Sequence, residues 1–83
     1  MNQNDNPEVR ATQVSEILSY MLEGHTITPL EALQRFGVLR LAAVIFDIEK
    51  KIGYPPHRKR VSVKNRFGKN VNVMMYWLDK EIQ

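Results

Sequence analysis

The chain has 83 residues, 43% of them hydrophobic and 25% charged, with no cysteine and a formal net charge of +3. That length holds one domain with one core, because chains divide only well beyond roughly 200 residues, and so small a core has little to spare for a deep catalytic pocket. Binding is expected rather than catalysis. The missing cysteines exclude disulfides and thiolate metal ligands, and no apolar run approaches the ~20 residues that cross a bilayer. With a polar, acid-bearing N-terminus that fits no signal or transit peptide, the expectation is a cytoplasmic protein without a membrane partner.

Residues 1–11 show no apolar periodicity and are expected to form a flexible arm. From Thr12 the pattern changes. Val14, Ile17, Leu18, Met21 and Leu22 recur at the spacing of one helix face, with Thr12 placed to cap the start and Gly24 the end. Tyr20 lies beside that stripe, at the edge of the core. His25-Thr26-Ile27 is an extended link or a minimal strand. Thr28-Pro29-Leu30-Glu31 then marks a helix start: Thr28 caps, Pro29 suits the first position and Glu31 reaches back to the cap amide. This second helix runs through Leu30, Leu33 and Phe36 and breaks at Gly37. A third helix, 39–52, places Leu41, Ile45, Ile48 and Ile52 on one face and stops at Gly53-Tyr54-Pro55-Pro56. Its outward face is read as Arg40, Ala43, Val44, Asp47 and Lys51. Asp47 is expected to pair with Lys51 or Arg40 rather than accept from a cytosine amino group.

Beyond the prolines, Val61 and Val63 alternate with polar residues, Arg66-Phe67-Gly68-Lys69 contains a glycine turn, and Val71, Val73, Met75 and Trp77 resume the alternation. This is a β-hairpin. The charge is concentrated here: residues 1–57 hold five cations and seven acids, whereas 58–69 hold six cations and no acid. Arg58, Lys59, Arg60, Lys64, Arg66 and Lys69 thus form either a phosphate-binding surface or a solvated hairpin that uses charge against edge-to-edge pairing. The last strand carries two apolar sets. If Tyr76 and Leu78 face the core, then Val73, Met75 and Trp77 turn outward as a surface for self-association or for a protein partner, unless the first helix or the arm covers them.

No catalytic constellation is present. His25 and His57 read as exposed linker histidines with no carboxylate at metal-ligand spacing, so no metal is expected. The serines lack nucleophile-elbow glycines, and the four glycines punctuate elements rather than cradle a phosphate, so no nucleotide cofactor is expected. Met21, Met74 and Met75 are expected to fill gaps in the core.

Two helices joined by a short glycine-containing turn, a longer third helix and a basic hairpin make the fold class mainly α with a β-hairpin wing (α+β): a winged helix-turn-helix over 12–78, with a two- or three-stranded small antiparallel sheet and a tail at 79–83. The chain resembles a helix-turn-helix domain family common in phages and conjugative elements. The resemblance rests on Thr12-Gln13-Val14-Ser15, Ile27-Thr28-Pro29-Leu30-Glu31-Ala32-Leu33, Phe36-Gly37, Arg40-Leu41-Ala42-Ala43 with Ile45, and Tyr76-x-Leu78. It implies a double-stranded DNA-binding module, a phage or mobile-element transcription regulator and not an enzyme, with the third helix in the major groove and the wing on phosphates. Val44 and Glu49 stand where similar sequences carry basic residues, which leaves Arg40 as the main candidate for a base contact. That near-neutral helix keeps open the alternative of a winged-helix scaffold that binds a host or phage protein, or a second copy of itself.

Overall fold

A computed structural model describes residues 7–79. Three helices, α1 (Pro7–Leu22), α2 (Pro29–Phe36) and α3 (Leu41–Ile52), precede an antiparallel hairpin of β1 (His57–Lys64) and β2 (Asn70–Trp77). The expected order of elements is therefore the observed one.

The first helix starts five residues before its expected cap. Thr12 does not cap; its hydroxyl donates to the Glu8 carbonyl at 3.1 Å, one turn back inside the helix. Residues 7–11 are thus helical rather than part of an arm, and residues 1–6 lie outside the described residues. Arg10 explains why the added turn sits where it does, since its Nε reaches Asp47 Oδ2 of α3 at 2.9 Å. Lower on the helix, Val14, Ile17 and Met21 are buried in the core.

The second helix begins as its sequence dictates. The Thr28 hydroxyl accepts from the Glu31 N–H at 3.4 Å while the Glu31 carboxylate accepts from the Thr28 N–H at 3.2 Å, a reciprocal capping box with Pro29 behind it. Gly37 closes the helix at φ +69°, a conformation that a side chain disfavours, and its N–H is shared by the Ala32 and Leu33 carbonyls. Only Ala32 is buried on α2; Leu30 and Leu33 are 60% and 44% exposed. A helix of two turns packed through an alanine lies close to its neighbours, and Gln13 of α1 donates to the Gly37 carbonyl at 3.4 Å across that approach.

The third helix ends at Gly53 (φ +87°), whose N–H donates to the Glu49 carbonyl at 2.8 Å, and the Pro-Pro pair turns the chain into β1. The sheet gains a third member at one point: Ile27 and Tyr76 exchange both backbone hydrogen bonds at 2.9 Å. The short strand expected near Ile27 is thus a single bridge on the free edge of β2. Ile17, Met21, Ile27 and Ile48 are the largest fully buried side chains, each worth about 1.5–3 kcal/mol of burial. Tyr76 and Leu78 close this core from the hairpin side.

Candidate nucleic-acid interface

The rotational phase of α3 decides which residues it offers. Leu41, Val44, Ile45 and Ile48 are buried, so at about 3.6 residues per turn the opposite face is centred on Ala43, Phe46 and Lys50. This corrects the expected outward face. Val44 is 3% exposed and belongs to the core, because α1 packs against α3 and covers the flank on which it lies. No groove contact is open to it. Asp47 is half-buried and its carboxylate is held by Arg10, not by Lys51 or Arg40. Arg40 is the exposed N-cap residue of α3 and makes no side-chain capping bond; Lys51 is exposed and Ala43 half-buried. Phe46 and Lys50, which the sequence reading passed over, are both exposed, with the Lys50 ammonium 4.5 Å from the Phe46 ring centroid. Their spacing from Ala43, three and seven residues, is the signal that would have found them.

The hairpin register divides the cations. His57 pairs with Trp77, Arg58 with Tyr76, Arg60 with Met74, Ser62 with Asn72 and Lys64 with Asn70. Directly paired residues share a face and alternate residues change face. Arg58, Arg60 and Lys64 therefore share the face of Met74 and the buried Tyr76, and the Arg58 guanidinium carbon lies 5.9 Å from the Tyr76 ring centroid. Lys59 lies on the other face with His57, Val61, Val63, Val71, Val73, Met75 and Trp77. The 5.5 Å stack of His57 on Trp77 reports that second face. A small cleft lined by Ala42, Phe46, Glu49, Arg58 and Tyr76 joins the cationic face of the hairpin to α3.

At the hairpin tip Asn65 organises the turn. Its side-chain oxygen accepts from the N–H groups of Phe67 and Lys69 at 2.9 and 3.0 Å, and its carbonyl accepts from Gly68, which stands at φ +78°. The clamp turns Phe67 into water, 79% exposed, between the exposed Arg66 and Lys69. None of the six hairpin cations forms an ion pair with another described residue.

A family model described as a winged helix-turn-helix domain matches residues 12–81. The chain belongs to that family. No curated protein and no solved structure matches it.

In winged-helix terms α2 and α3 are the helix-turn-helix and the β1–β2 hairpin is the wing. His25 lies in the exposed link between α1 and α2, as expected, whereas His57 is exposed but not in a linker. His57 opens β1 rather than a linker, and its Nε2 lies 2.8 Å from Asp79 Oδ2; His25 stacks on Tyr20 with ring centroids 4.2 Å apart. Each has a local structural partner, and no group of three or more metal-ligating side chains occurs among the described residues. Met21 lies in the core and Met74 packs against it, whereas Met75 lies on the outer face of the wing. Tyr54 packs against the same core with its hydroxyl buried and without a hydrogen-bond partner among the described residues; burial, and then the charge of Asp79, raise its pKa above the ordinary 10.0. No described helix is long and apolar enough to cross a membrane.

Proposed function

We propose that this winged helix-turn-helix domain binds double-stranded DNA as part of a phage or mobile-element transcription regulator. In this reading α3 lies in the major groove, and Arg58, Arg60 and Lys64 of the wing lie along the phosphates. The carrying observation is that the wing cations have no acidic partner among the described residues. Cations gathered on one face of the wing without such partners suit an external polyanion. Arg40 adds a cation at the start of α3, with Ala43 and Lys51 along that helix, and Arg66 and Lys69 extend the charge to the wing tip. The wing contacts position the protein without reading sequence, and Arg40 is the candidate for a base or backbone contact at the start of the helix.

Titration of a labelled random duplex at several salt concentrations tests the reading. Four phosphate contacts, from Arg40, Arg58, Arg60 and Lys64, give a slope of log affinity on log salt of about −3.6. A slope near zero overturns it.

A second reading has an observation of its own. The outer wing face carries Val73, Met75 and Trp77, each half-buried, beside half-buried Val61 and exposed Val63 and Val71, and a partly exposed apolar strand face of that kind suits a protein partner or a second copy of the chain. A folded domain that binds no duplex at low salt but captures a protein through this face would favour it.

A further inference from the structure

The recognition helix offers a base pair very little to hydrogen-bond with. Along its outward face stand Ala42, Ala43, Phe46 and Lys50; Asp47, on the flank, is held by Arg10. Of the usual polar readers of base edges, arginine or lysine to guanine and asparagine or glutamine to adenine, that stretch holds only Lys50, whose ammonium lies on the Phe46 ring. In their place is an aromatic ring. Phe46 is 54% exposed and belongs neither to the core nor to the residues packed against it. It lines the cleft between α3 and Arg58, and Lys50 lies against the ring.

We infer that Phe46, flanked by the two alanines, reads the C5-methyl group of thymine in the major groove. The inference rests on the DNA-binding reading and gives it a base preference. Two considerations favour a methyl over a protein surface as the occupant. Lys50 lies on the ring and Arg58 across the cleft, against one lining acid, Glu49, so the charge around Phe46 favours an anionic partner that brings an apolar group to it. Double-stranded DNA meets both demands, because the thymine methyl is the one apolar feature that a base pair presents in the major groove. The small side chains of Ala42 and Ala43 let the helix approach closely enough for the ring to reach it.

The test compares alternating dA-dT duplex with alternating dA-dU duplex, which differ only in the methyl. Covering one methyl group is worth about fourfold in affinity, from about 0.8 kcal/mol per buried carbon. Wild type is expected to bind the dT polymer at least severalfold more tightly than the dU polymer, and Phe46→Ala to bind the two equally while keeping the wild-type melting temperature and salt slope. Phe46→Leu should retain part of the preference. Substituting 5-methylcytosine for cytosine in a mixed duplex, which puts a methyl at the same groove position, should strengthen wild-type binding and leave Phe46→Ala unmoved. Equal wild-type binding to both polymers, with a normal salt slope, overturns the inference, keeps DNA binding and gives the Phe46 face to a protein partner. A preference that survives in Phe46→Ala overturns it as well. No binding to either polymer at low salt overturns the DNA-binding reading itself, and this inference with it.

Discussion

The two faces of the wing are built from alternate residues of the same two strands, yet they are chemically opposite. The face continuous with the core begins at Tyr76 and Met74 and runs out through Arg58, Arg60, Ser62, Lys64, Asn70 and Asn72; the other is Val61, Val63, Val71, Val73, Met75 and Trp77, with His57 and Lys59 at one end. A cluster of charge in a strand is therefore not a surface until the register is known. Counting cations along 58–69 finds one basic patch, whereas their parity places three on the face of Tyr76, one on the apolar side and two in the turn. The difference teaches that the wing has two jobs available to it, and each can be removed without touching the other.

The largest expected effect comes from the cationic face. Replacing Arg58, Arg60 and Lys64 together by glutamine should flatten the salt slope by about 2.7, at about 0.9 for each phosphate that is no longer neutralised. Between about 50 and 200 mM salt, the ratio of wild-type to variant affinity should then change roughly 40-fold. A slope unchanged in a variant that still folds would remove this face from the interface and collapse the distinction between the two sides.

The apolar face is tested by Trp77→Ser. If that face joins two copies, sedimentation of the wild type should show a dimer and the variant a monomer at the same concentration, with the salt slope per protomer unaltered. A wild type that is monomeric at every accessible concentration would exclude the second copy as its occupant and leave a different protein as the partner.

Where the information is local, the sequence reads directly into structure. The capping box at Thr28 and Glu31 and the glycine stops at Gly37 and Gly53 depend on residues within a few positions of one another, the pairing of β1 with β2 propagates from the short turn at Asn65–Lys69, and each is found as expected. What required the folded chain is longer-range. In α3 the apolar residues Leu41, Val44, Ile45, Phe46, Ile48 and Ile52 occupy more than one face, so periodicity alone does not select between Val44 and Phe46 as the buried one. The packing of α1 selects Val44, and Phe46 is left in water. The early start of α1 is of the same kind, since its first turn is tied by Arg10 to an aspartate 37 positions away.

A smaller effect separates stability from binding. Thr28→Ala removes the hydroxyl of the capping box, beside the Ile27–Tyr76 bridge but outside the charged residues of the wing, and should cost about 1 kcal/mol. For a domain of this size that is a fall in Tm of about 4–8 °C. Its salt slope, measured well below the transition, should equal that of wild type. A variant with unchanged Tm and weakened DNA binding would mean that Thr28 belongs to the interface rather than to the stability of α2.

The smallest expected effect is also the sharpest test of the two-faced wing, because it compares neighbours in the chain. Arg60 is on the face of Tyr76, and Lys59 on the face of Trp77. Composition makes them equivalent, and only the alternation of the strand separates them. Arg60→Gln should flatten the salt slope by about 0.9, whereas Lys59→Gln should leave it within error of wild type. Lys59 has another task in the same geometry. The outer edge of β1 is unpaired among the described residues, and a lysine amid valines on such a strand discourages another chain from adding to it. Lys59→Val should accordingly raise the tendency to aggregate while the DNA slope stays fixed. Equal flattening by Lys59→Gln and Arg60→Gln would show that the lysine stem carries its charge round the edge to the same phosphates, and the faces would then differ in apolar surface alone.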